Sequence, residues 1–283
     1  MKIKNVYGET YRWEKPRVVT SGRGGGNTKY IYNWLSLAYL ETDEGITGVG
    51  ASMAPFEVDS IKDLLLGEDP LCIEKIYHKL TTSRLAASNI VALSAIDIAL
   101  WDLKAKVAGM PLYKLLGGVR EKLECYIAGG YYAPDKTIRD LQEEMEMYLK
   151  WGARAVKMKV GGLSAKDDAQ RVHAVRQVIG PDVKLLVDAN CGWNYSEALE
   201  FAKRTEEDLL YWFEEPLSAL DLEGFSRLAQ HTTTPLAAGE SLQGLDQQAL
   251  LMDTGAVSFI QPDACLCGGV SLVMKAGNYA QGK

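Results

Sequence analysis

The chain has 283 residues and a mass of 31.1 kDa, enough for one large domain or two ordinary ones. Apolar residues make up 47% and charged residues 24%, close to the globular average, which excludes a disordered tail protein. A net charge of −6 and a pI of about 5.3 argue against broad electrostatic binding to nucleic acid or an anionic membrane, while leaving room for a local cationic pocket.

The opening residues Met1-Lys2-Ile3-Lys4-Asn5 lack the apolar block of a signal peptide. The longest nearly apolar stretch, 89–103, carries Asp97 and Asp102 and is too short and too charged to span a bilayer. Five scattered cysteines (Cys72, Cys125, Cys191, Cys265 and Cys267) fit a reducing compartment, so a cytoplasmic protein is expected. Cys265-x-Cys267 is one spacer short of CxxC and has no second pair nearby, so it reads as packing rather than as a zinc site.

Residues 1–50 read as strands. Large apolar and small or polar residues alternate over 32–42, Asp43-Glu44-Gly45 makes a tight turn, and 46–51 returns as the paired strand. Between the first strand and this hairpin lies Ser21-Gly22-Arg23-Gly24-Gly25-Gly26-Asn27. No GKS or GKT follows it, so it reads as a mobile surface loop able to close over a substrate, not as a phosphate loop. From 73 to 115 the pattern turns helical. Ile90, Leu93, Ile96, Ile98, Leu100, Trp101 and Leu103 give a wide apolar face, and Ala92, Ala95, Ala99 and Ala105 allow close packing. Gly117-Gly118 closes the region. An α+β domain over 1–122 is expected.

A second domain over 123–283 has a different rhythm. Strand candidates at 123–128, 155–160, 184–187, 209–213, 236–238 and 256–260 alternate with amphipathic helices at 138–151, 165–179, 196–206 and 222–231. Repeated βα units predict a parallel sheet with right-handed crossovers, either an open sheet or a barrel. The strand ends favour the barrel. They carry Lys157-Met158-Lys159, Asp188-Ala189-Asn190, Glu214-Glu215-Pro216, Gly239-Glu240-Ser241 and Gln261-Pro262-Asp263. Steps of 29, 26, 26 and 23 residues separate 159, 188, 214, 240 and 263, each about one βα unit. Each step therefore returns to one rim, where a barrel gathers its catalytic groups.

Asp188, Glu214 and Glu240 would bring three mutually repelling carboxylates together, and a hard cation resolves that repulsion. An oxygen-only donor set favours Mg²⁺. Glu215 should point to the other side of its strand as a supporting residue. Lys157 and Lys159, two apart on a strand, share a face. A lysine beside a dication and a second lysine has reason for a lowered pKa and can act as a base. Metal beside base points to removal of a proton α to a carboxylate, the developing enediolate charge being stabilised by the cation and a lysine.

These motifs, with Val187 before Asp188 and Trp212-Phe213 before Glu214, resemble the enolase superfamily, in its mandelate racemase-like group. Ser94-Ala95-Ile96-Asp97-Ile98-Ala99-Leu100-Trp101-Asp102 and the run from Leu112 to Gly118 are equally typical of that group's capping domain. The resemblance covers essentially the whole chain. It implies an N-terminal α+β capping domain over a modified TIM (β/α)7β barrel. It implies Lys159 as base, Lys157 as its neighbour and carboxylate contact, and Mg²⁺ on Asp188, Glu214 and Glu240 with Asn190 at the substrate. Asp263 would be the acid half of a histidine–aspartate dyad.

The dyad histidine is absent: His78, His173 and His231 fall on helices away from the rim. The chain stops where strand seven should begin, so a longer native chain carrying that histidine is expected. Within the resemblance, the leading expectation is dehydration of an acid sugar; the alternatives are a racemase or epimerase of a 2-hydroxy acid and a non-catalytic metal-containing binding protein. Arg23 and Lys29 of the polar cap loop are candidate substrate contacts. A small carboxylate substrate and a homo-oligomer, with neither nucleic acid nor membrane as partner, complete the reading.

Overall fold

The computed structural model describes residues 1–83 and 89–283. Its first sheet has three antiparallel strands, β1 (Ile3–Thr20), β2 (Lys29–Thr42) and β3 (Thr47–Ser52), in that order. β1 and β2 run as a long ribbon from Ile3↔Thr42 to Thr20↔Lys29, and β2 and β3 close the predicted hairpin over the 43–45 turn. A short helix, α1 (Asp59–Lys62), precedes the helical stretch, which resolves into α2 (Ile73–Thr82), α3 (Ile90–Val107) and α4 (Leu112–Leu115), while residues 84–88 of it lie outside the described residues. Helix α3 presses directly onto β3. A Cβ at Gly48 would stand 2.2 Å from the Ala99 carbonyl oxygen, and one at Gly50 1.8 Å from that of Ala95. Glycine on the strand and alanine on the helix together permit this approach.

The second sheet is parallel, with six strands in chain order: β4 (Ile127–Gly129), β5 (Ala155–Lys159), β6 (Lys184–Asp188), β7 (Leu210–Glu214), β8 (Leu236–Ala238) and β9 (Phe259–Ile260). Between them run α5 (Ile138–Lys150), α6 (Ala165–Ile179), α7 (Tyr195–Arg204), α8 (Leu222–Ala229) and α9 (Gly244–Asp253), and α10 (Gly269–Gln281) follows β9. Each strand pairs with the next, the layout of a (β/α) barrel rather than of a doubly wound sheet. Helices start where side chains satisfy their free N–H groups. Thr137 with Asp140, and Asn194 with Glu197, form capping boxes at α5 and α7, and Ser164 and Asp221 cap α6 and α8. The core between strands and helices centres on Phe201, Phe213 and Phe225, with Trp193 packed on Phe201 and Phe213.

The structure corrects the sequence reading at three elements, one of them the strand expected at 256–260, which pairs only over Phe259–Ile260. The strand expected at 123–128 begins only at Ile127, where it first finds Val156 as a partner, and Leu123 is 77% exposed. Helix α9, the crossover from β8 to β9, was not among the helices read from the sequence.

The two sheets meet through specific contacts. Asp97 and Ser94 of α3 reach the start of α10, where Ser271 N donates to Asp97 Oδ2 at 2.9 Å and Gly268 N to Ser94 Oγ at 2.9 Å. Trp101 Nε1 donates to Ser271 Oγ at 2.9 Å. Among the described residues no helix is long and apolar enough to cross a membrane.

Candidate active site

The parallel register places the charged strand ends side by side: Lys159 is opposite Asp188, and Asp188 is opposite Glu214. All are buried, with Lys157 and Lys159 7% and 8% exposed. Lys159 Nζ donates to Asp188 Oδ2 at 2.5 Å. Lys157 Nζ lies between two acids, 2.7 Å from Glu214 Oε1 and 3.3 Å from Asp188 Oδ2. Glu240 joins from the loop after β8: the Asn190 amide donates to Asp188 Oδ2 at 3.2 Å and to Glu240 Oε1 at 3.4 Å.

Electrostatics divide these groups. Burial opposes ionisation of Asp188, yet Lys159 and Lys157 together hold its carboxyl below the usual range. Burial and Asp188 push Glu214 up, with Lys157 pulling the other way. Burial, then Glu215 and Asp188, push Glu240 up to about 7. The lysines contradict the expectation of a lowered pKa. Burial pulls Lys159 down, but Asp188 and Tyr131 outweigh it and raise it. Asp188 and Glu214 likewise outweigh burial and raise Lys157.

Glu215 does not turn to the outside of its strand. Its φ of 41° breaks the strand alternation, and its carboxylate lies near Ser241, Cys191 and Arg23. It is fully buried, and neither oxygen completes a hydrogen bond among the described residues. Asn190 and Cys191, at φ 45° and 59°, hold the same strained rim.

The loop at 21–27 is not a free surface loop. Ser21 is buried, and Gly22 lies on the barrel rim so closely that a Cβ would stand 2.0 Å from the Ala189 carbonyl oxygen and 2.5 Å from that of Val160. Gly26 rests on Gly162 in the same way, with its Cβ position 2.7 Å from the Gly162 carbonyl oxygen. Arg23 is exposed above Glu215 and Cys191. Lys29 is exposed on β2, with no side-chain hydrogen bond or ion pair among the described residues. Asp263 stands apart from the lysine–acid cluster, its Oδ1 accepting from Cys265 N at 2.7 Å in the turn after β9. His78 is exposed on α2; His173 on α6 pairs with Asp208 at 2.7 Å, and His231, just after α8, contacts the Arg227 carbonyl at 2.8 Å.

Three aromatic residues beside the lysines and Glu214 were not read from the sequence as site residues, Trp212 having entered only as part of a motif. Lys157 Nζ sits 5.3 Å from the ring centre of Tyr126, and Lys159 Nζ 5.4 Å from that of Tyr131. Trp212 Nε1 donates to Glu214 Oε2 at 3.0 Å. The position of Trp212, two before Glu214 on the same strand face, is the one signal that could have found it.

Oxygen donors from three adjacent strand ends, Asp188 and Glu214 buried and Glu240 half-buried and short of positive charge, fit a hard dication. As placed, the two ammonium groups stand among the acids, and among the described residues no triplet of His, Cys, Asp or Glu closes far enough to chelate an ion as it stands.

Fold and rim together define a capped (β/α)-barrel protein with its charged groups gathered at one mouth. The chain belongs to the enolase superfamily, in its mandelate racemase/muconate lactonizing enzyme group. Residues 140–283 match the family described as enolase C-terminal domain-like, and residues 32–117 match the mandelate racemase/muconate lactonizing enzyme N-terminal domain. The chain is 37% identical to the arabinonate dehydratase of Saccharolobus solfataricus, over 86% of this chain and 68% of that protein. It is 38% identical to the L-talarate/galactarate dehydratase of Salmonella typhimurium, over 87% of this chain and 65% of that protein. It thus spans about two thirds of the length of these relatives. Cycloisomerases are among the further relatives. A solved structure of a racemase from Streptomyces coelicolor with bound magnesium superposes with a TM-score of 0.92 at 30% identity, covering 99% of this chain and 81% of that one.

Proposed function

We propose that the protein removes the proton α to a carboxylate and dehydrates an acid sugar, with 1–122 as cap and 123–283 as barrel. The observation that carries the reading is the buried row Lys159, Asp188 and Glu214, in register at the mouth, with Lys157 bridging the two acids. Asp188, Glu214 and Glu240 would hold Mg²⁺, which would supply positive charge for the substrate carboxylate and would relieve the lysines of pairing with these acids. Lys159 Nζ accepts the α-proton as the neutral amine, the form it takes once Asp188 no longer holds its ammonium proton in place. Lys157 stays cationic beside Glu214 and orients the substrate carboxylate. Asn190 holds Asp188 and Glu240 in one arrangement and faces the substrate, and Asp263 would orient a protonated group, not among the described residues, whose proton leaves with the β-hydroxyl as water when the C–O bond breaks. Arg23 lies over the site and contacts the distal polar end of the substrate, and Lys29 adds positive charge to that cap face.

Both dehydratases named above act on polyhydroxylated acids, which supports this substrate class. The kinship with cycloisomerases and with a racemase structure supports an isomerase as the second reading. Product analysis separates the two. The protein is incubated with Mg²⁺ and a panel of aldonates and aldarates in D₂O. Dehydration gives a 2-oxo-3-deoxy acid. Deuterated substrate or its epimer without loss of water assigns an isomerase, and no exchange across the panel refutes proton abstraction.

A further inference from the structure

A buried polar node lies just outside the lysine–acid cluster, between β4, β5 and α6. Asp168 is fully buried and accepts four hydrogen bonds. Its Oδ1 takes the Tyr132 hydroxyl at 2.7 Å and Arg171 Nη1 at 2.7 Å. Its Oδ2 takes the main-chain N–H of Gly161 at 2.9 Å and of Leu163 at 3.2 Å. Arg171 Nη1 also donates to the carbonyl of Lys159 at 2.9 Å, and Nη2 to that of Gly130 at 2.7 Å. The guanidinium stacks 4.0 Å above the Tyr132 ring.

Two aspects of this arrangement exceed what stability needs. A buried ion pair contributes little net stability over an apolar replacement, because desolvation offsets the attraction; its best-supported use is to fix one arrangement among several. What it fixes here is the main chain of the residues that carry the chemistry. Arg171 reads the carbonyl of Lys159 itself, and Asp168 ties down the turn immediately after it.

The same node also reaches the cap. Tyr132 and Thr20 exchange two main-chain hydrogen bonds, at 3.0 and 3.1 Å, just before the 21–27 loop. The Tyr132 hydroxyl accepts from Gly162 N at 3.0 Å, and Gly162 is the residue on which Gly26 of the loop rests. Both ends of the cap loop therefore stand on groups that Tyr132, Asp168 and Arg171 hold in place.

We infer that Tyr132, Asp168 and Arg171 are positioning residues: they set the end of the Lys159 strand and the seat of the 21–27 loop as one unit, so that substrate-side closure and placement of the proposed base are coupled. The role of Lys159 rests on the function proposed above; the coupling of loop to strand end does not.

The test uses the full chain with Tyr132→Phe, which deletes one hydroxyl and keeps the ring, and with Arg171→Lys, which keeps the charge and loses the two-armed fork. Amide hydrogen exchange is read by mass spectrometry on peptides covering 21–27, 160–163 and, as a control, α7 and α8. Loss of a buried hydrogen bond to a charged group predicts exchange about tenfold faster or more at 160–163. The coupling predicts a rise of similar size at 21–27, where no atom has been changed, with the control helices unmoved. Exchange at 21–27 that stays at the wild-type rate in both variants overturns the inference, as does a uniform rise that includes α7 and α8, which marks general destabilisation. Where the wild type exchanges the α-proton of an acid sugar, Tyr132→Phe should lower kcat about tenfold and leave the pH at half-maximal rate in place; an unchanged kcat overturns the claim for Lys159. A wild type that exchanges no α-proton refutes the proposed function and leaves the amide-exchange comparison to decide the coupling.

Discussion

Asp97 offers a quantitative handle on the contact between cap and barrel. It sits on α3, 1% exposed, and receives Ser271 N and Ser271 Oγ at 2.9 and 2.6 Å from the first turn of α10. Gly268, at the start of α10, has no side chain to cap the helix, so the Asp97 carboxylate, 174 residues before Ser271 in the chain, does so. Burial outweighs the Ser271 hydrogen bonds and raises Asp97 from an ordinary 3.8 to about 6. A carboxyl raised on folding binds more protons folded than unfolded. Its contribution is therefore fully present below about pH 4 and is lost as pH rises through about 6. At about 1.4 kcal/mol per unit the whole effect is about 3 kcal/mol, of which about 1.4 kcal/mol falls between pH 5 and pH 8. Asp97→Asn removes the titration, and its lost acceptor adds a separate, pH-independent cost of about 1 kcal/mol. Urea unfolding of both proteins at pH 5 and pH 8 should show the difference in stability shifting by about 1.4 kcal/mol in favour of the variant at pH 8. A difference that is the same at both pH values refutes the argument.

Three further outcomes follow from the site. Glu214→Gln should weaken Mg²⁺ binding by at least about tenfold in titration calorimetry with an unchanged circular-dichroism spectrum, since one of three charged donors is lost; undiminished affinity would remove Glu214 from the ligand set. Because Glu240 titrates at about 7, Mg²⁺ should bind about tenfold more weakly at pH 6 than at pH 8, the acid having to lose its proton first; a flat pH dependence speaks against Glu240 as ligand. Gly22→Ala places a Cβ 2.0 Å from the Ala189 carbonyl oxygen and should lower stability by about 1–3 kcal/mol while speeding amide exchange over 21–27; a neutral effect would mean that the loop does not rest on the rim in solution.

The strand-end acids were legible because a single polar residue closing an apolar strand, repeated at one βα spacing, is the pattern that a shared rim imposes. The register then set Lys159, Asp188 and Glu214 in one row. The rest depended on distant partners. Gly22 and Gly26 read as flexibility in the sequence, and only the carbonyls of Val160, Ala189 and Gly162 turn them into a close fit. The alternation rule sends Glu215 outward, and its positive φ defeats that rule locally. A neighbouring lysine should lower the pKa of Lys159, but the nearer charge is Asp188, which reverses the sign. Asp168 and Arg171 were not singled out in the sequence, because their function as a brace depends on backbone groups of β4 and β5.

The central claim is that Lys159 takes the α-proton of a carboxylate. The direct measurement is proton NMR of an acid sugar turned over by the wild type, followed with Lys159→Ala and Mg²⁺ in D₂O. The account predicts wash-out of the α-proton signal by the wild type and none above background with the variant, while Mg²⁺ still binds. Wash-out at the wild-type rate in Lys159→Ala would contradict the account and place the base elsewhere.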